Sequence, residues 1–322
     1  MDIHFDVTSS ESQNVISARQ VVDLLRNRGL SKLSSDGLSI VQSGSIDGYA
    51  TVGKSDNTSV YLSREIASLL QREKEYGADE YVYVVDISQA HHFKNLKAVL
   101  SLMGLHDLGE KVTHVSFGRV RGLSTRSGRT QAVDEIIESG SEVAEKFLMS
   151  SPTIRIHHDE LKNVARALSI DTITVSDLKR SRNAEYIFSF KDAFKLNQGN
   201  ALLLQMKHSR LCSLEERNAE LLDKMDDEQY DDLELNDVTV SLLRHLANFD
   251  DVLNSSIRKM EPCVVTVYLI QLANLIGTAM AALQVQGEPI EKAVPRLLLF
   301  SASKNVLSAG MKLLGIRPLK QM

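Results

Sequence analysis

The rhythm of apolar and polar positions changes once along this chain, near residue 150. Before that point helix-like and strand-like patterns alternate. Val15–Arg28 carries Val21, Val22, Leu24 and Leu25 at helical spacing and stops at Gly29. Tyr49–Val52 and Thr58–Leu62 read as strands around the turn Ser55-Asp56-Asn57. Tyr81–Val85 is a nearly continuous apolar run, the pattern of a parallel strand covered on both faces. His91–Met103 follows as a helix, with Phe93, Leu96, Val99, Leu100 and Met103 to one side and Gly104 at its end. Val112–Phe117 is a further strand and Gln131–Leu148 a further helix. Strand and helix in alternation predict an α/β sheet with parallel strands.

Beyond residue 150 the strand signals vanish. Asp159–Leu168, Asn200–Lys224, Asn236–Phe249, Pro262–Gln286 and Glu288–Leu314 all read as helices, with Leu242, Leu243, Leu246 and Phe249 marking one apolar face. This half is expected to be an all-α bundle, so the organisation is two domains, 1–150 and 151–322. The acidic stretch Met225–Asp237 between two of the helices is expected to be a solvated loop that faces away from nucleic acid. Cys263–Gln286 carries no charged residue and is long enough to span a bilayer. Gln271, Asn274, Thr278, Gln284, Gly277 and several alanines dilute it, so the better reading is the central helix of the bundle and no membrane association.

Composition narrows the chemistry. A 322-residue chain with 43% hydrophobic residues can bury two cores. Aromatics are 5% with no Trp, which makes stacking on bases a poor principal binding mode. The net charge of −5 excludes a protein that is basic all over but leaves room for a local basic groove. Cys212 and Cys263 are far apart and fit no metal spacing, so free thiols and no protein-bound metal are expected. The opening Met1–Gln13 is acidic and polar, unlike a secretory signal or an arginine-rich presequence.

The most informative stretch is His114-Val-Ser-Phe-Gly-Arg-Val-Arg-Gly-Leu-Ser-Thr-Arg-Ser-Gly-Arg-Thr130. An apolar strand runs into a loop where Arg119, Arg121, Arg126 and Arg129 are interleaved with Gly118, Gly122, Gly128, Ser124 and Thr125. Such a loop presents guanidinium forks, hydroxyls and bare backbone N–H groups to clustered phosphate oxygens. Tyr61 and Glu65 lie four apart where a helix would begin, so both face one side. A carboxylate is the natural acceptor for a guanidinium, and a phenol oxygen can orient it. Gln89 follows the apolar strand at its carboxyl end, where open α/β sheets bind ligands.

These residues resemble the arginyl-tRNA synthetase family. The loop after Phe117 is similar to the place where class I synthetases carry their KMSKS-type segment. Lys54–Leu70 resembles that family's arginine-site hairpin and helix, and Tyr81–Gly104 its next strand and helix. Gln205–Arg217 resembles a hallmark helix of its anticodon domain, and Met311–Met322 its C-terminus, most closely in the mitochondrial branch. The resemblance runs in one order from about Ile3 to Met322. It implies a partial parallel, Rossmann-like sheet, the C-terminal half of a class I catalytic domain, followed by a DALR-type anticodon-binding bundle. It implies ligation of arginine to tRNA(Arg) at the expense of ATP, with Mg2+ accompanying the nucleotide.

By the resemblance Tyr61, Glu65 and Gln89 contact arginine. Ser124, Thr125 and Arg126 act on the triphosphate as catalytic residues, and His92, Gly122, Gly128 and Arg129 line the nucleotide. Lys207, Arg210 and Met322 meet tRNA. The family pattern has Asp where Glu65 stands, and a basic residue where Ser127 stands, a charge that Arg129 could replace. None of the nine histidines sits in a His-x-Gly-His motif, which a class I synthetase carries in its first half. The 322 residues are therefore expected to represent a part lacking that half, with little aminoacylation by themselves. A monomer in the mitochondrial matrix is expected, with the cytoplasm as the alternative location. A non-catalytic tRNA-binding descendant of the family is the rival function, and a helical scaffold without RNA affinity the third.

Overall fold

The computed structural model describes residues 3–42, 48–56, 58–121, 132–150, 156–195, 199–222 and 233–322. It divides into two compact units, Ile3–Arg119 and the chain from Val120 onward. The expected boundary at 150 falls inside the second unit, because the helix before it packs on the helix after it.

In the first unit α1 (Val15–Asn27) leads to β1 (Ser31–Leu33), β2 (Ser39–Gln42) and β3 (Tyr49–Gly53), an antiparallel meander. The sequence reading did not find β1 and β2, which are only three and four residues long. It also extended a strand over Thr58–Leu62. Only Ser59 pairs there, with Gly53, and α2 (Tyr61–Tyr76) has begun by Tyr61. The helix wins because Ile66 and Leu69 continue the apolar spacing and Ser63 caps its start. The Ser63 hydroxyl accepts from the Val60 N–H at 3.1 Å and donates to the Val60 carbonyl at 2.9 Å.

β4 (Tyr81–Asp86) follows, then α3 (Ala90–Leu102), α4 (His106–Glu110) and β5 (Val112–Phe117). β4 and β5 pair in parallel from Tyr81 opposite Val112 to Asp86 opposite Phe117. The connection from strand through helix to parallel strand carries α3 across one face of the pair. Leu25, Val52, Ile66, Leu69, Leu96, Leu100 and Val112 form the core. Val82 and Val84 on the other face are exposed, so the pair is not covered on both sides as the apolar run suggested. Glu73 on the last turns of α2 accepts from the Tyr81 hydroxyl at 2.6 Å and from Lys111 at 2.8 Å, tying α2 to the start of both strands.

The second unit opens with β6 (Val120–Arg121) and continues through α5 (Val133–Ser150) and α6 (Leu161–Leu178). Next come β7 (Tyr186–Ile187), α7 (Phe190–Ala193), α8 (Ala201–Arg217) and α9 (Ala219–Leu222). It ends with α10 (Asp237–Ala247), α11 (Phe249–Lys259), α12 (Cys263–Ala282) and α13 (Ile290–Leu313). The half read as purely helical thus holds one short strand, β7, in parallel with β6. α6 runs ten residues past the predicted end at Leu168, and α11 was not predicted.

α12 is the central helix. Leu269, Leu272 and Ile276 are wholly buried against Leu204, Leu211, Leu242, Phe300, Leu307 and Met311. Its outer side carries Gln271, Asn274 and Thr278. By length and composition alone α12 could cross a membrane. Here it is packed on α8, α10, α11 and α13.

Close approach of α5 and α6 rests on Gly140. A Cβ there would lie 2.2 Å from Ser169 Oγ and 2.4 Å from a ring carbon of Phe190. Ser169 uses the proximity to donate to the Ile137 carbonyl at 2.8 Å. The variant G140A is expected to lose about 1–3 kcal/mol through overpacking. Urea denaturation should show a lower midpoint with an unchanged slope.

Candidate active site

The site grows from one face of α2. Tyr61, Glu65, Ser68 and Arg72 recur at spacings of four, three and four, so they form one stripe. Glu65 is mostly buried, its side chain 13% exposed. Its Oε1 meets Arg72 Nη1 at 3.3 Å, and the same nitrogen donates to the Tyr83 hydroxyl at 3.1 Å. The guanidinium carbon stands 5.7 Å from the centre of the Tyr83 ring, a cation–π contact. Arg72 also lines a cavity of about 620 Å³ beside residues His4–Ser9, with Gln71, Glu75 and Tyr76.

Aromatic rings from β4, α3 and β5 build the wall around this stripe. Tyr83 packs on Phe93 at 4.9 Å, and Phe93 stacks on His114 at 4.6 Å. Tyr61 lies on His92 with ring centres 4.4 Å apart. Burial and then the nearby Glu65 charge push the Tyr61 and Tyr83 hydroxyls upward, so both stay protonated and able to donate. Burial, and then His114, lower His92 to about 4. Its imidazole is neutral at physiological pH. The Nε2 atoms of His92 and His114 are buried without a hydrogen-bond partner, which costs free energy unless a ligand or water supplies one.

Gln89 closes a single 3-10 turn, Ile87–Gln89, directly after β4 and caps α3. It stands at the carboxyl end of a parallel strand, as expected, and is partly exposed. Asp86 fixes that turn by accepting from the Ser88 N–H at 2.8 Å and from Arg119 Nε at 3.0 Å. The arginine bond, first, and the serine bonds hold the Asp86 carboxyl well below the usual range. Tyr61, Glu65 and His92 thus belong to one cluster. Gln89 is one helical turn from His92, with no hydrogen bond to Tyr61 or Glu65.

The residues assigned to the triphosphate, Ser124, Thr125, Arg126, Gly122, Gly128 and Arg129, lie outside the described residues, as does Asn57 of the predicted turn. What is described is how the segment starts: Arg121 donates to Glu185 at 2.6 Å, beside the pairing of β6 with β7.

On α8, Lys207 is half-buried with its ammonium over Gly277, where a Cβ would meet Nζ at 2.7 Å. Burial, and then Arg210, lower its pKa. Neither Lys207 nor the exposed Arg210 has a carboxylate partner among the described residues. Met322 is half-buried, packed against the cluster that holds Leu148, Val164, Leu168 and Phe194. The sequence reading missed Arg72, Tyr83 and His114. The helical spacing from Glu65 to Arg72 was the available signal for the first; the other two are brought in by strand pairing.

A chain so built matches two families in succession. Residues 1–190 match the family described as tRNA synthetases class I (R), catalytic domain. Residues 204–322 match the DALR anticodon binding domain. A probable mitochondrial arginine–tRNA ligase of Mus musculus is 33% identical over 100% of this chain and 55% of its own length. The cytoplasmic arginine–tRNA ligase of Saccharomyces cerevisiae is 30% identical, over 100% and 53%. The crystal structure of Plasmodium falciparum arginyl-tRNA synthetase superposes with a TM-score of 0.80 at 23% identity, over 100% of this chain and 55% of that one. Thermus thermophilus arginyl-tRNA synthetase gives 0.80 at 18%, over 97% and 59%. The fold and matches together define class I synthetase catalytic sequence followed by an anticodon-binding module. The chain belongs to the arginyl-tRNA synthetase family. It spans about half the length of the curated relatives it matches.

Because His92 is held below its ordinary 6.5, the folded state binds a proton less readily than the unfolded chain. Stability of the first unit should therefore be complete above pH 6.5 and fall as pH drops toward about 4. Melting temperatures across that window should decline less steeply in H92Q than in the wild type.

Proposed function

We propose that this chain is the arginine-recognising and tRNA-binding part of an arginine–tRNA ligase. The observation that carries the proposal is that Tyr61 lies on His92 while Glu65, on the same face of α2, is held beside Tyr83 of β4. A mostly buried carboxylate flanked by phenols is suited to a planar cation, and the guanidinium is the planar cation among amino-acid side chains. In this reading Glu65 binds the substrate guanidinium, Tyr61 covers it and Gln89 meets the backbone end of the amino acid.

Ser124, Thr125 and Arg126 act on ATP phosphates, with Gly122, Gly128 and Arg129 shaping that loop and His92 on the nucleotide side. Mg2+ enters with the triphosphate. The arginine carboxylate attacks the α-phosphate, pyrophosphate leaves, and the aminoacyl group passes to the tRNA 3′ end. The contribution of these residues is positioning and charge stabilisation.

The bundle, 151–322, holds the anticodon stem and loop of tRNA(Arg). Lys207 and Arg210, cations without carboxylate partners among the described residues, contact phosphate, and Met322 contributes an apolar contact. The mitochondrial matrix is the proposed location, supported by the mitochondrial relatives; similarity to cytoplasmic forms supports the alternative. A non-catalytic tRNA-binding role is the second reading. On its side stands the engagement of Glu65 by Arg72.

Two measurements test the proposal. E65Q should weaken L-arginine binding about 30-fold by calorimetry, the loss expected for a charge-assisted pair. An unchanged affinity would leave only the tRNA-binding reading. The double variant K207A/R210A should reduce the salt dependence of tRNA binding by about two units of log–log slope, one for each lost phosphate contact.

A further inference from the structure

Glu65 already has a guanidinium, and that guanidinium comes from the protein. Arg72 sits two turns along the same helix face and reaches Oε1 with one nitrogen at 3.3 Å. It is itself held on two sides. Its nitrogen donates to the Tyr83 hydroxyl at 3.1 Å, and its plane lies over the Tyr83 ring. Tyr83 in turn is wedged against Phe93, 4.9 Å away, so the anchor is backed by the packed core. A carboxylate offers about four lone-pair positions on two oxygens. Arg72 takes one of them on Oε1, and the Tyr83 hydroxyl shares in the hydrogen bonding of the same carboxylate, so lone pairs remain for a further donor.

We propose that Arg72 is a positioning residue for arginine recognition: it pins Oε1 of Glu65 so that Oε2 is presented to the substrate guanidinium. The proposal rests on the assignment of Glu65 to the arginine site. The longer arm of this chain gives it force. Glutamate has one more rotatable bond than the aspartate of the family pattern. An untethered glutamate here would sweep a wider arc and could fold its carboxylate back toward the helix. Tethering Oε1 removes that freedom before the ligand arrives, which is preorganisation. Two guanidinium groups around one carboxylate repel each other, but the Tyr83 ring face and the partly exposed position of Arg72, 34% accessible, moderate that repulsion.

The alternative role for Arg72 is a plain helix-face ion pair that stabilises the fold and does nothing for ligand binding. A double-mutant cycle separates the two. L-arginine binding to the full 322-residue chain is measured by calorimetry in wild type, R72M, E65D and R72M/E65D, with circular dichroism on each to confirm folding. The proposal expects R72M to weaken arginine binding roughly tenfold, within the coupling seen between contacting residues. R72K, which keeps the charge but not the fork, should recover part of that loss. In the E65D background the carboxylate is too short to reach Arg72, so adding R72M should change the affinity less than twofold.

Equal affinity in wild type and R72M overturns the proposal while leaving Glu65 as the arginine ligand. So does the same R72M loss in both backgrounds, which would mark a merely structural role. Should R72M not fold, R72K in the two backgrounds carries the same comparison. Failure of wild type to bind arginine at millimolar concentration, or E65Q binding as wild type does, overturns the arginine-site assignment and this proposal with it.

Discussion

A carboxylate taken out of water must be compensated, and in the first unit the pairing of Glu65 with Arg72 and Tyr83 does this. Leaving such a charge buried and alone costs several kcal/mol. That requirement ties together elements distant in sequence: the helix face supplies both ions, and β4 supplies the phenol that steadies the cation. The aromatic run from Tyr83 through Phe93 to His114 then sets α3 and β5 at fixed distances from the same helix. The ion pair and the core packing thus share Tyr83.

The second unit solves a different problem. α12 has no ion anywhere along it, and its stability comes from being enclosed. Gly310 lets α13 close on it, since a Cβ would sit 2.5 Å from a Leu269 methyl. Enclosure leaves the neighbours to carry the charges. On α8 Gln205 and His208 are buried among Leu202, Leu204 and Leu211, and Lys207 extends its stem over the bare backbone at Gly277. A cation resting on a helix without a carboxylate beside it has its positive field available to solvent, or to a phosphate.

Much of this was readable from the chain, and the exceptions have physical causes. Tyr61 and Glu65 were legible because they are four apart on a helix, where spacing dictates geometry. Arg72 was legible in principle by the same rule. Tyr83 and His114 were not, since strand pairing in register brings them to the helix and no local pattern encodes it. The misread strand over Thr58–Leu62 shows the ambiguity of short apolar runs: Val60, Tyr61 and Leu62 suit either form, and Ser63 decides by satisfying the helix start. The helix α6 outran its predicted end because Asp171, Thr172 and Ser176 look like surface residues but are buried.

Among those buried groups, Asp171 receives the amide nitrogen of Gln205 at 2.7 Å. The same nitrogen reaches the carbonyl of Arg317 at 2.9 Å, while the amide oxygen takes the N–H of Leu319 at 2.8 Å. A primary amide has a polarity, donor at one end and acceptor at the other, and so does a peptide strand. With Asp171 selecting which end is which, one glutamine side chain reads the direction in which the final residues run. A glutamate in its place would have the right shape and the wrong sense, offering acceptors to a carbonyl that needs a donor.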